Sequence, residues 1–451
     1  MSATTVVLRL LTFASLALSL GCGHQSPSTA ERLGAEAVLP EWSRSLDAAV
    51  EVPNLWHLVA DPEVTGLVSA ALAGNPNLAQ TALRVSEAEA ALRRQSGAVL
   101  PAASLQTSSR TSSGDSAGLD TETFVASLAW EADLWGRLRS QARAGAERLY
   151  ASEADYRAAQ NSLAATVIRT LLELAYSEEI IGVEQRRIDT LRLNETLIRE
   201  RYLVGIGSLA DLEAARTSAA RARAGLLERQ ERYTRLSRSL RVILGDYDAD
   251  PQVPDVFAVT VPAAPVPLSV MSARPDVASA MARANAAAAD ANAAGKALLP
   301  TVSLSLDQTR SSASLGNVLS ADGLTVLLLN ITAPVFQGGQ LRAERDRAEF
   351  AAEREFWVLR EALLNALREV EDSMNLEQSL QLQTHERELA LRFARNNRTL
   401  FESRYQEGLA NIFDLLNAQQ TAFDAEVQLL SARLLQNQNR VDLGVALGLS
   451  L

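Results

Sequence analysis

The chain has 451 residues, 47% hydrophobic but only 5% aromatic, and a net charge of -11. Its length exceeds one ordinary domain, and its acidic balance excludes nucleic acid as the main partner, because phosphate binding needs a basic surface. His24, His57, His385 and the single Cys22 cannot assemble a disulfide framework or a Cys/His zinc site.

The first 22 residues, MSATTVVLRLLTFASLALSLGC, carry one basic residue, Arg9, and then an apolar run from Leu10 to Leu20. That run suits the core of a signal peptide (1–21) and is too short to span a bilayer comfortably. It ends at Gly21-Cys22, the arrangement at which bacterial lipoproteins are cleaved and acylated. Ser19-Leu20 departs from the usual order of Leu followed by a small residue, and a plain secretory peptide is the alternative. The sole cysteine directly after Gly favours a lipid on Cys22. Gly23-His24 follow where an Asp would retain a lipoprotein at the inner membrane, so export to the outer membrane is expected, with residues 22–60 as a lipid-anchored extended segment.

Two repeats come next, 61–245 and 274–451, separated by a proline-rich linker or equatorial segment at 246–273. Between Pro101 and Pro251, and again after Pro334, the chain has no proline, so long helices fit there. Each repeat opens with an Ala-rich amphipathic segment: NPNLAQTALRVSEAEAALRRQSGAVLP in the first, RPDVASAMARANAAAADANAAGKALLP in the second. Each then has a hairpin pattern, at about 100–134 and 300–336. VSLSLD sets Val302, Leu304 and Leu306 against Ser303, Ser305 and Asp307, the period of two that marks a strand. TFVASLAWEADLW and LTVLLLNITAPVF are the returning strands. Trp130, Trp135 and Phe336 stand at strand ends, as interfacial aromatics do and as ordinary packing residues also do. At about ten residues each, these strands can cross an outer membrane at a tilt.

Heptad spacing follows each hairpin: Leu149, Tyr156 and Leu163, then Val167, Leu174, Ile181 and Ile188. An unbroken helix from Gly136 to Tyr202 would run about 100 Å at 1.5 Å per residue. The fold class is therefore mainly α with a small β part: long antiparallel coiled-coil helices plus a hairpin in each of two repeats. Four strands cannot close a membrane barrel, and open edges are intolerable in lipid, so membrane-embedded strands require an oligomer. A dimer gives eight strands and a trimer twelve; the strand count does not choose.

ASLAWEADLWGRLRSQ, RPDVASA, APVFQGGQLRA and RYQEGLANIFDLLNAQQ resemble the signature stretches of the TolC-like outer-membrane efflux factors, in their lipoprotein (OprM/NodT-type) branch. The resemblance covers about residues 55–450 and keeps the family's order and spacing. It implies a homotrimer with a twelve-stranded transmembrane β-barrel and a tunnel of twelve long helices in the periplasm. It also implies a periplasmic adaptor and an inner-membrane transporter as partners. No cofactor is expected beyond the covalent lipid on Cys22.

The stretch RYLVGIGSLADLEAART (201–217) lies 203 positions before RYQEGLANIFDLLNAQQ (404–420), with Arg-Tyr, Gly and Asp-Leu in register. Gly205 and Gly408 mark helix turns, Ser208 and Asn411 read as N-caps, and Asp211 and Asp414 fall three residues on. Capping alone accounts for both aspartates. The family resemblance adds that the stretch around Asp414 lines the narrowest point, where three copies of a carboxylate would form an acidic, cation-preferring ring. Relatives commonly carry a second aspartate at the position of Asn417, so the resemblance implies one such ring here rather than two. Arg404 and Tyr405 match the pair that ties neighbouring helices in the closed state; a C-terminal dipole contact and packing are the plainer alternative.

No nucleophile–base pair, metal cluster or nucleotide loop supports an enzyme, and Gly338-Gly339 reads as a strand-to-helix switch. The expected function is a passive exit channel for small toxic compounds. An exit duct for protein secretion and a non-channel structural coiled coil are the alternatives; the paired apolar hairpins argue against the second.

Overall fold

In a computed structural model of the chain, the described residues are 42, 49–110, 121–314 and 317–451. The signal segment, Cys22, His24 and the first hairpin loop (112–120) lie outside them. Each repeat contributes two short helices, a hairpin and two long helices. The first repeat holds α1 (Pro62–Gly74), α2 (Pro76–Gly97), β1 (Ala102–Arg110), β2 (Thr121–Ala132), α3 (Arg137–Leu203) and α4 (Leu209–Leu244). The second holds α5 (Pro267–Ala273), α6 (Pro275–Lys296), β3 (Thr301–Ser312), β4 (Gly323–Thr332), α7 (Gln340–Gln406) and α8 (Ile412–Ala446). Prolines open α1, α2, α5 and α6 at the first helical position, where a missing N–H costs nothing. The 246–273 segment therefore contains a helix, α5, although its prolines read as linker.

The hairpins join into one antiparallel sheet in the order β1-β2-β3-β4. The register stacks Leu128, Leu306 and Leu327 across three strands, and beside them Trp130, Leu304 and Leu329. These side chains share one face, and all six are exposed, Leu327 and Leu329 at 65% each. Ser127 against Asp307, and Glu131 against Ser303 and Asn330, occupy the other face. The first face is thus mainly apolar and uncovered, with Gln308 and Arg310 towards one end, and the second is mainly polar except in β4, where Leu324, Val326 and Leu328 lie on it. The outer edges of β1 and β4 have no strand partner among the described residues.

The helices α3 and α7 are 67 residues each, about 100 Å at 1.5 Å per residue. Of the heptad positions, Val167, Leu174 and Ile188 are fully buried, while Leu149, Tyr156, Leu163 and Ile181 are half-buried. Near the sheet α3 packs between α2 and α6, and farther along between α4 and α8; α7 packs against α6 and then α8. The main core lies midway, where Leu55, Leu58, Val64 and Val68 meet Leu171, Leu172 and Leu174 of α3 and Leu240 of α4. Chain segments around Val50 and Val261 close this belt through backbone bonds of 3.0 Å (Val50 N to Val261 O) and 2.8 Å (Ala263 N to Val50 O). Asn437 of α8 locks the belt by accepting from Val259 N (3.1 Å) and donating to the Tyr176 hydroxyl (3.0 Å). Burial raises the pKa of Tyr176, so it stays a neutral hydroxyl.

Candidate gate at the helical tips

At the ends of α3 and α7 the chain reverses by the same device twice. Gly205 (φ 80°) and Gly408 (φ 77°) take the left-handed conformation. The next amide reaches back to the third-last helical carbonyl, Ile206 N to Arg201 O (2.9 Å) and Leu409 N to Arg404 O (2.7 Å). The glycine amides bond Tyr202 O (3.0 Å) and Tyr405 O (3.1 Å), completing a Schellman motif in each repeat.

The following helices begin differently. Ser208 Oγ accepts from Asp211 N (3.1 Å) and Ser208 N donates to Asp211 Oδ2 (3.4 Å), a full capping box. Asn411 Oδ1 accepts from Asp414 N (2.9 Å), but the Asp414 carboxylate takes no hydrogen bond or ion pair among the described residues. In the first turn of α8, Ile412, Leu415 and Leu416 are buried against α3 and α4, while Phe413, Asp414 and Asn417 are exposed on the opposite side. Asp211 is thus spent on its own helix, and Asp414 stands free beside Asn417.

Tyr405 is tied to the other repeat. Its hydroxyl accepts from Arg201 Nη1 at 3.1 Å, and the Arg201 guanidinium lies 5.4 Å from the centre of its ring. Arg404 is exposed and makes no side-chain bond among the described residues. The two members of the Arg-Tyr pair therefore do different things within one chain. A second clamp lies deeper: Arg186 pairs with Glu426 (2.7 Å), Arg187 with Asp424 (3.0 Å), and Asn194 Nδ2 donates to Gln419 Oε1 (2.7 Å). These residues hold α3 to α8. Nothing in the local sequence marks them, because the paired residues lie more than 200 positions apart.

A four-stranded sheet with bare outer edges is continued by helices about 100 Å long. The outer membrane efflux protein model matches residues 67–246 and 267–449, one block per repeat, and the chain belongs to that family. It is 30% identical to the pyoverdine export outer membrane protein OpmQ of Pseudomonas aeruginosa, over 97% of this chain and 96% of that one. It is 28% identical to the cation efflux system protein CusC of Escherichia coli, over 86% of each. Its fold matches the open state of the MtrE outer membrane channel of Neisseria gonorrhoeae with a TM-score of 0.83, covering 92% of this chain and 96% of that chain at 24% identity.

Proposed function

We propose that this chain is the outer-membrane exit duct of a tripartite efflux pump. The reading rests on the sheet: its uncovered, mainly apolar face suits lipid, its mainly polar second face suits a water-filled lumen, and its two bare edges call for further copies. Three copies supply twelve strands for the barrel and twelve helices for the tunnel. A periplasmic adaptor and an inner-membrane transporter complete the pump, and the transporter provides the energy. A lipid on Cys22 adds an anchor. The cargo is a small solute: the relatives' names specify pyoverdine and cations, and a duct of this kind acts on its cargo by charge and width.

The tip formed by the 201–209 and 404–414 turns is the gate. Three Asp414 carboxylates make one ring that prefers cations, with Asn417 a turn deeper. Arg201 and Tyr405 hold the tips of α3 and α7 together, and Arg404 extends the tie to a neighbouring copy. Contact with the adaptor favours the splayed state. The test is planar-bilayer conductance of the purified protein beside Asp414→Ala combined with Arg404→Ala. A small cation-preferring conductance that rises sharply in the double variant supports both pore and gate. An unchanged pore reduces these residues to tip packing, and no conductance from folded, oligomeric protein overturns the channel.

A further inference from the structure

The two places where a strand runs into a long helix are built differently. At the first, Ala132 to Arg137, side chains tie the turn down. Asp133 accepts from Leu138 N (3.0 Å) and Arg139 N (2.9 Å), open amides in the first turn of α3. Glu131, near the end of β2, takes two bonds from Arg137 Nη2 (2.8 Å each). Trp135 Nε1 donates to the Pro300 carbonyl (2.6 Å), just ahead of β3. From the last turn of α6, Lys296 Nζ donates to Gly136 O (3.2 Å) and Ser140 Oγ (2.8 Å). This clasp holds β2, α3, α6 and the start of β3 as one body.

The second junction, Thr332 to Gln340, has lost each of these ties. Counting 203 positions on, Glu131 becomes Pro334, Asp133 Phe336, Trp135 Gly338, Arg137 Gln340 and Ser140 Ala343. No side chain from 333 to 343 makes a hydrogen bond among the described residues. Backbone bonds alone shape the turn, Gln340 N to Gln337 O (3.1 Å) and Ala343 N to Gly339 O (3.0 Å). The matching Ala-rich segments differ in the same sense: the place of Lys296 in the second is held by Gly97 in the first.

Lys296 is the only lysine among 43 lysines and arginines, so its position asks for something a guanidinium does not supply. A carbonyl and a hydroxyl suit a compact ammonium with three donors, whereas the planar fork of arginine matches carboxylates. No acid pairs with Lys296 among the described residues.

We infer that Lys296 is the positioning residue of the barrel: through Gly136 and Ser140 it fixes the direction in which the sheet leaves the tunnel, while the 333–339 junction is left slack. This rests on the oligomeric duct proposed above. In three copies, three clasped junctions suffice to define how a barrel sits, as three points define a plane. Three more would over-determine it and set each sheet against closure of the whole. Slack at the second junction lets β4 settle after β2 and β3 have been placed.

Hydrogen exchange of the purified oligomer reads both junctions at once. Amides 138–139 should exchange at least about tenfold more slowly than amides 341–342. Lys296→Met should remove most of that difference and broaden the spread of single-channel conductance. In a Cys22→Ser background, Lys296→Cys should behave like Lys296→Met. Aminoethylation of that cysteine rebuilds the ammonium and should restore both readouts, whereas Lys296→Arg should not. Pro334→Glu with Phe336→Asp and Gln340→Arg should slow amides 341–342 and lower the fraction of closed oligomers. Equal exchange at the two junctions, or a Lys296→Met variant indistinguishable from wild type, overturns the clasp and leaves the duct standing. A wild type that keeps the contrast but forms no conducting oligomer overturns the duct, and the positioning role with it.

Discussion

At the scale of single residues, the two repeats have diverged where their sequences look most alike. Asp211 and Asp414 occupy matching positions, yet only Asp211 closes a capping box. Asp211→Asn should therefore cost about 1 kcal/mol in thermal or denaturant unfolding and leave ion selectivity unchanged. Asp414→Asn should leave stability unchanged and lower cation preference, read as a shift of reversal potential in a salt gradient. Tyr405→Phe removes one hydrogen bond but keeps the ring under Arg201, whereas Arg201→Ala removes both contacts. The open fraction of the channel should rise more in Arg201→Ala than in Tyr405→Phe. The glycines, caps and aspartates of this tip were all legible from local spacing. The Arg201–Tyr405 tie was not: the repeated Arg-Tyr was visible, but which Arg meets which Tyr depends on how two distant helices end side by side.

At the scale of elements, helices and hairpins follow directly from pattern. Period-two alternation yielded the sheet, and long proline-free heptad tracts yielded α3 and α7. Helix α5 escaped because Pro267 and Pro275 read as breakers, while each in fact opens a helix. Between α5 and α6 the buried Arg274 gathers several elements. It donates to Asp276 (2.7 Å), to Glu369 of α7 (2.7 Å) and to the Ala446 carbonyl of α8 (2.9 Å). Burial opposes ionisation of Asp276, but the guanidinium outweighs it and holds the carboxyl below its ordinary range. Because the folded value is depressed, the stabilisation is complete above about pH 4 and is lost as the pH falls through the folded value. Unfolding followed against pH should steepen in that acid window, and Asp276→Asn should flatten it. Arg274→Met should cost about 1–3 kcal/mol, chiefly from the buried Ala446 carbonyl losing its donor. At the α7 turn, Gly408 has open space around it, so Gly408→Ala should cost about 1 kcal/mol of backbone strain alone.

At the scale of the whole molecule, the sequence pattern reached further than single-chain packing could. The proposal of further copies was already available from the sequence, because four membrane-embedded strands cannot close a barrel. The Arg186–Glu426 and Arg187–Asp424 pairs were not apparent, since they emerge only when the folded chain sets α3 beside α8. For the N-terminus, palmitate labelling in cells should mark the wild type and be lost in Cys22→Ser. The same variant should remain in the outer membrane if the barrel carries the protein there by itself.

The bare edges of β1 and β4 also bear on how the protein is made. Each lone copy entering hydrocarbon would carry two rows of unsatisfied backbone groups, at several kcal/mol per group. Insertion and association must then happen as one event, with no stable intermediate waiting in the bilayer. Where unassembled chains are degraded before they associate, the yield of finished ducts then rises faster than linearly with the supply of newly exported chains. A cell that halves its synthesis would lose well over half of its exits, so expression level would act as a steep throttle on efflux.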